Sequence, residues 1–545
     1  MRGVILRDVQ ASARIEGMSR VLVIGWDGAE PSLVERWMDD GSLPNLAQLR
    51  NTGAYLRCAS TIPPATFPAW TTCVTGVNPG RHGMFDFTEL TPGAYAVRFV
   101  NSSFRRAPAV WNVLSSAGRR VGVIGVPGTH PPEPVNGFMV SGFDAPVTTR
   151  IDRSFVYPPE LYATARDWVF ADFQESRIGP GWHGMALRSM IAAIDTKRAI
   201  ALDLLRREPW DFFMVVFGES DTVAHHFWLF HDAGSPRHVP GFEDAIHRVY
   251  QRLDAATGAL IDAAQGDVLA VVVSDHGFGG AGDGVLHINN RLAELGCFAF
   301  TARGRGGWLK RLAMTAAPPA WRGALFRMFR GAAERAESAA RFGGIDWERT
   351  RAWSEELNYF PSVRVNLEGR EPFGQVAAGE YDSFCEDLCA ALEAWPPVRK
   401  AWRRDALYHG PYVDRAPDIV LDLRLENGYS YSCLRSPAGG PAERRMLPQE
   451  RFGGKERGMT GNHRGTGILF LSMPSAARTA RLEDVAPTIL GHMGVPGPPM
   501  DGTSLLAPAA VQSESGGDSG RAARPYTTEE EKAVEDRLRA LGYFE

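Results

Sequence analysis

Four short apolar runs rich in β-branched residues punctuate the first half of the chain: VLVIGWDG from Val21, VGVIGVPG from Val121, FFMVVFGES from Phe212 and VLAVVVSDHG from Val268. Unbroken apolarity over so few residues, closed by Gly, Asp or Pro and separated by helix-length segments of mixed polarity, predicts buried strands of a largely parallel α/β sheet. Three of the four end in acidic or histidine-bearing turns. That placement matters because open α/β sheets bind ligands beyond the carboxyl ends of their strands. PSVRVN from Pro361, DIVLDL from Asp418 and GILFLS from Gly467 are further strand candidates.

The pattern also predicts the domain organisation. Residues 20–300 and 455–510 read as the core, preceded by an extension over 1–19. Residues 301–454 read as a cap or insertion with additional core strands. Within it, the stretch from Gly304 to Phe342 is basic and amphipathic, with Trp308, Leu309, Leu312, Trp321, Leu325 and Phe329, and is broken at Pro318 and Pro319. It is expected to pack on the core as a helical cap; contact with a membrane or an anionic ligand is the alternative. Residues 511–525 read as a linker. Over 526–545, Thr528 and Glu531 form a capping-box pattern, Val534, Leu538 and Leu541 share one face, and Gly542 ends the helix.

Composition adds exclusions. With 44% hydrophobic and 22% charged residues over 545 positions, the chain has ample material for a core. A net charge of −4 supplies no broad attraction for a nucleic-acid backbone, so no nucleic-acid polymer is expected as a partner. Six cysteines (Cys58, Cys73, Cys297, Cys385, Cys389 and Cys433) form no CxxC pair and are too sparse for a disulfide framework. Charges at Arg7, Asp8, Arg14 and Glu16 interrupt any secretion-signal centre, and no run is long enough to span a bilayer. A cytoplasmic location is the expectation; the oligomeric state is not readable.

Five segments carry candidate chemistry. Asp27 ends the first strand, where a carboxylate can project into a cleft or simply cap a turn. In PPATFPAWTTCVTG, Thr66 precedes Pro68 and a short helix, which places it at a helix amino terminus, favourable to an anion; alone, it reads as an ordinary N-cap. Asp221 and His225, four apart in GESDTVAHHFW, share one side of a helix and can share a divalent metal, while His226 diverges into a packing role. Asp275 and His276 close the most apolar strand, where burial without a partner would cost several kcal/mol. A metal is the simplest such partner. His463 stands before the strand GILFLS.

Taken together, these residues resemble the alkaline phosphatase superfamily, within it the type I phosphodiesterase/nucleotide pyrophosphatase group and its predicted phosphohydrolase/phosphomutase relatives. The likeness rests on IGWDG, PPATFPAWTTCVTGVNPGRHGMFDF, DTVAHHFW, SDHGFG with HINNRL, NLEGREPFG, GNHRGTG, DVAPTIL with MDGTSLL, and EEEKAVEDRLRALGY. It implies an alkaline-phosphatase-like α/β/α sandwich with an inserted cap. It further implies that Asp221, His225 and His463 hold one metal ion and that Asp27, Thr66, Asp275 and His276 hold the other. Zinc is the family's usual metal; manganese or iron would suit the same donors. Two divalent ions bring +4 against three carboxylates, leaving +1 to attract phosphate. The expected reaction is in-line attack by a metal-activated Thr66 on phosphorus, giving a phosphothreonine that water then hydrolyses.

The match has gaps. Nucleotide pyrophosphatases usually carry paired asparagines where Asp86 and Phe87 stand here, which weakens the nucleotide assignment. Thr66-Phe67-Pro68-Ala69-Trp70 lacks both the convertible residue and the arginine of a sulfatase. His287, Asn289 and Arg464 are candidate substrate contacts, with packing as the alternative for the first two; Arg81 and His82 are expected to shape the loop beneath Thr66. The leading expectation is a two-metal phosphohydrolase acting on a small phosphorylated substrate, a phosphodiester or nucleotide-type pyrophosphate. Phosphomonoesterase or phosphomutase chemistry is the alternative, and an anion-binding pseudoenzyme a more distant one.

Overall fold

The strand Arg20–Trp26 (β1) alternates between two apolar clusters: Val21 and Val23 pack into one, Leu22, Ile24 and Trp26 into the other. A strand apolar on both sides needs cover on both sides. In the computed structural model, which describes residues 19–142, 151–169, 178–301, 342–356, 360–453 and 458–506, β1 lies at the centre of a nine-stranded sheet. Its other members are Ala54–Ala59 (β2), Val121–Ile124 (β3), Gly137–Val140 (β4), Val156–Tyr157 (β5), Phe212–Phe217 (β6), Val268–Val273 (β7), Thr466–Leu471 (β8) and Ala480–Arg481 (β9), in the order β9-β2-β8-β7-β1-β6-β3-β4-β5. The five strands from β7 to β4 are parallel; β8 enters antiparallel between β7 and β2.

Helices α1 (Pro31–Asp39), α2 (Thr66–Thr75), α3 (Trp182–Arg207), α4 (Glu219–His231), α5 (Ala245–Ala264) and α6 (Val485–His492) cover this sheet. The cluster that takes Leu22, Ile24 and Trp26 draws on α1, α3, α4 and α5, and the one that takes Val21 and Val23 on α2 and α6, which makes an α/β/α sandwich. Among the described residues no helix is long and apolar enough to cross a membrane.

Two of the predicted later strands take another place. PSVRVN and DIVLDL supply Ser362–Val365 and Ile419–Leu423, which pair with each other in a separate four-stranded antiparallel sheet. That sheet is backed by the helix Tyr381–Glu393, whose Phe384, Cys385, Leu388 and Leu392 enter a third cluster. An apolar run announces burial but not the sheet that buries it. The long strand Gly277–Leu286 links the two regions, pairing with Gly461–Arg464 near the sandwich and with Ser430–Cys433 farther out. The amphipathic cap segment over 302–341, the linker at 511–525, the terminal helix at 526–545 and the extension over 1–18 lie outside the described residues.

Candidate metal centre

Strand register brings the acidic turns together. Trp26 pairs with Phe217 of β6 and Gly25 with Val273 of β7, so the chain leaves three adjacent parallel strands at one level. Asp27, Asp221 and Asp275 come just after these ends. Gly28, at φ +66°, turns the chain straight after Asp27; a Cβ there would stand 3.1 Å from the Asp221 Cβ and His276 Cε1. Under β1, a Cβ on Gly25 would meet the Trp70 ring at 2.5 Å. Its absence lets the indole approach, and Trp70 Nε1 donates to Asp27 Oδ2 at 3.2 Å.

Histidines close the site. His225 sits one helical turn after Asp221 on α4, its Nε2 3.4 Å from Asp221 Oδ1. His463 stands on Gly461–Arg464, opposite Phe278, with Nε2 3.2 Å from Asp221 Oδ1 and 3.0 Å from His225 Nε2. His276 Nε2 lies 3.5 Å from Asp27 Oδ1, 3.4 Å from Asp275 Oδ2 and 4.0 Å from Asp221 Oδ1. Its ring stacks on His463 with centroids 3.7 Å apart. Two groups thus have ligand atoms mutually within 4.8 Å, Asp27-Asp275-His276 and Asp221-His276-His463, with His276 common to both.

The backbone decides which nitrogen faces inward. His225 Nδ1 lies 3.0 Å from the Gly461 carbonyl, His276 Nδ1 3.0 Å from that of Gly277, and His463 Nδ1 2.9 Å from that of Pro64. A carbonyl only accepts, so each Nδ1 carries a proton and each ring turns its Nε2 into the site. Burial pushes His276 and His463 below the ordinary imidazole range, which keeps both neutral at pH 7. Two ring nitrogens 3.0 Å apart need a proton or a metal cation between them.

The carboxylates make the same demand. Burial, then repulsion from Asp275 and Asp221, pushes the Asp27 carboxyl well above its usual range. Burial does the same to Asp275, with the Asp221 charge adding to it. Burial also opposes ionisation of Asp221, but a charge on His225 outweighs it and holds that carboxyl well below the usual range. Asp27 Oδ1, Asp221 Oδ1, Asp275 Oδ2 and His276 Nε2 are all buried without a hydrogen-bond partner. Orphaned atoms of this kind are costly, and oxygen and imidazole donors converging without partners suit divalent cations.

Thr66 is the first residue of α2 and is buried; the N-cap is Ala65, in extended conformation. It therefore stands one position inside the helix rather than at the cap, because the helix takes up Thr66 and Phe67 ahead of Pro68. Pro64, bonded to His463, and Trp70, bonded to Asp27, bracket it on either side.

The other sequence candidates have different surroundings. His287 gives Nδ1 to the Leu434 carbonyl at 3.0 Å, and its Nε2 accepts from Arg444 at 3.2 Å. Asn289 exchanges hydrogen bonds with the Ser354 backbone, 2.9 and 2.8 Å, while its amide donates to Glu356. Asn289 thus joins the end of the Gly277–Leu286 strand to the outer sheet beside Trp353, whereas His287 is held by segments that flank that strand. Arg464 alternates to the opposite face of its strand from His463 and donates to Ser430 Oγ and the Gly280 carbonyl. His226 packs edge-on against Trp182 at 5.1 Å. His82, buried and pushed down to about 3 by burial, hydrogen-bonds Thr72 beneath Thr66. The Trp70 donor and the Pro64, Gly277 and Gly461 acceptors escape a reading of the sequence. Trp70 has a usable signal in its spacing of four from Thr66, whereas backbone carbonyls have none.

A cleft opens from His463 along Pro63, Phe85, Asp86, Phe87, Phe360 and Tyr408. The departures at Asp86 and Phe87 therefore face the space a substrate would occupy.

Among solved structures, the chain is similar to phosphonoacetate hydrolase from Sinorhizobium meliloti 1021 in complex with phosphonoformate, at 16% identity and a TM-score of 0.48, covering 88% of this chain and 96% of that one. It is also similar to an inactive variant of murine ectonucleotide pyrophosphatase/phosphodiesterase 5 in complex with AMP, at 13% identity and a TM-score of 0.48, covering 89% and 97%. Comparison with curated protein sequences gives no match. The family model for type I phosphodiesterase/nucleotide pyrophosphatase matches residues 21–452, a stretch that holds Asp27, Thr66, Asp221, His225, Asp275 and His276 and ends before His463. With most of its length and all but one of these residues inside that match, the chain belongs to the type I phosphodiesterase/nucleotide pyrophosphatase family, hydrolases of the alkaline phosphatase superfamily.

Proposed function

We propose that this chain is a metal-dependent phosphohydrolase that cleaves phosphodiester or nucleotide-type pyrophosphate bonds through a phosphothreonine on Thr66. The observation that carries the reading is the set of four buried, unpartnered ligand atoms on Asp27, Asp221, Asp275 and His276, beside two imidazole nitrogens 3.0 Å apart. Asp221, His225 and His463 would hold one divalent ion, and Asp27, Asp275, His276 and Thr66 the other. Nitrogen and oxygen donors of these types favour zinc, with manganese or iron as substitutes. When bound, such a pair leaves the site with net positive charge and lowers the pKa of a coordinated hydroxyl.

The chain's own groups then have defined tasks. Thr66 Oγ1 gives up its proton to solvent and attacks phosphorus; the Oγ1–P bond forms as the P–O bond to the leaving group breaks, and the leaving oxygen takes a proton from solvent. Water next attacks the phosphothreonine from the vacated side, releasing phosphate or a phosphate monoester and returning the proton to Thr66. The amino terminus of α2, where Thr66 stands, favours the developing negative charge. The backbone carbonyls of Pro64, Gly277 and Gly461 hold the rings in the orientation described.

Thr66→Ala tests this directly. Turnover of an aryl phosphodiester should fall by at least about 10³-fold while two metal ions per chain remain; near-normal turnover in the variant ends the nucleophile assignment. On the same wild-type preparation, the ratio of kcat/KM for bis- and mono-nitrophenyl phosphate separates a diesterase from a monoesterase.

A further inference from the structure

Arg237 is 1% exposed, yet its guanidinium lies against backbone, with no carboxylate within ion-pair distance among the described residues. Nε and Nη2 donate to the Arg451 carbonyl at 3.0 and 2.9 Å, Nη1 to that of Met459 at 2.7 Å, and Nη2 also to that of Gly458 at 3.3 Å. Burying a cation against neutral dipoles alone is an expensive arrangement. Burial pushes its pKa down to about 10, which still leaves it charged at neutral pH. Two glycines beside the gripped carbonyls stand close together. Gly453 and Gly458 both have positive φ, +73° and +72°, and a Cβ on Gly453 would stand 2.9 Å from the Gly458 carbonyl oxygen and 3.3 Å from the Arg237 Nη2.

The residues immediately after the gripped segment form the second half of the site. Thr460 donates twice to the His225 carbonyl, through N at 2.9 Å and Oγ1 at 2.8 Å. Gly461 accepts from His225 Nδ1, and His463 comes two residues later. On the other side, Arg237 stands a short way beyond α4, which carries Asp221 and His225, and Ser235 Oγ accepts from the Arg237 amide at 3.1 Å. One side chain thus ties the end of the helix bearing two proposed ligands to the start of the strand bearing the third.

We infer that Arg237 is a positioning residue for one metal ion of the pair, the one assigned to Asp221, His225 and His463, acting by clamping the carbonyls of Arg451, Gly458 and Met459 so that Thr460 and Gly461 hold the His225 ring against His463. The inference rests on the two-metal reading above. A planar fork is needed because three carbonyls in different directions must be reached from one buried point; the three donors of a lysine radiate from a single nitrogen.

The test uses the full-length zinc protein with Arg237→Lys and Arg237→Met. Ion stoichiometry and stepwise affinity are measured by chelator competition, and unfolding is followed with and without metal. Affinity at one site should fall by about 10–100-fold, as for other groups that orient metal ligands, while the second site changes less than about 3-fold. Equal weakening of both sites, or wild-type affinity at both, overturns the inference. A wild-type chain that binds no pair of ions fails the underlying reading instead. Should both variants misfold, Thr460→Val removes only the far hydroxyl of the same linkage; it should weaken the same single site, and unchanged affinities there overturn the clamp.

Discussion

Two buried acidic centres in this molecule solve the same electrostatic problem in opposite ways. In the outer sheet, Asp418 is buried, but Arg370 reaches both its oxygens at 2.7 Å, Arg404 lies 3.3 Å away, Tyr381 donates at 2.6 Å and the Val365 amide at 2.7 Å. Burial alone would raise its pKa; Arg370, Arg404 and Tyr381 outweigh that and hold the carboxyl below its usual range. At the sandwich edge, Asp27 and Asp275 have no cationic side chain beside them among the described residues, and their carboxyls are pushed upward. The protein supplies the counter-charge around Asp418 and omits it around Asp27 and Asp275, as a site proposed to take up a cation requires. A closed network marks architecture, an open one marks a site.

The largest effect separating the two centres should come from Asp418→Asn, which leaves Arg370 and Arg404 without their shared anion. About 4 kcal/mol of stability should be lost in denaturant unfolding, with metal content unchanged; a loss of bound metal would break the distinction. Glu133 offers a second closed case: burial works upward on its carboxyl, but Arg105 and the Trp111 indole outweigh it and push the pKa down to about 2. Its folded pKa lies below the unfolded value, so its contribution of about 3 kcal/mol is complete above pH 4.5 and lost as pH falls from there towards 2. Glu133→Gln should flatten that limb of the stability curve, and an unchanged acid limb would contradict the assignment. The smallest effect runs the other way. Asp275→Asn removes one of three crowded carboxylates, so the metal-free protein should melt about 1–2 °C higher than wild type while binding less metal. A metal-free variant that melts lower would show that Asp275 is compensated within the chain.

Much of the site is readable in the sequence because its residues sit where strands end. Asp27, Asp221 and Asp275 each come after an apolar run, and the spacing of four puts His225 beside Asp221 without any tertiary information. His287 and Asn289 come after the same SDHG turn in sequence, yet the strand Gly277–Leu286 carries them away from it, His287 to the Leu434 carbonyl and Asn289 to the Ser354 backbone. Arg237 is invisible because its partners are carbonyls more than two hundred residues away. The outer strands are recognisable as strands but not as members of a second sheet, since apolarity does not name a neighbour.

The chain by itself determines which local units form and which chemical groups they carry at their ends: periodicity and the carboxylate, imidazole and hydroxyl types are properties of a few adjacent residues. Strand register, the direction in which each imidazole turns its Nε2, and the orphaning of four ligand atoms arise only when β1, β6, β7 and the His463 strand pack together. These depend on backbone carbonyls and on desolvation by distant segments, and neither leaves a mark on any single stretch of sequence.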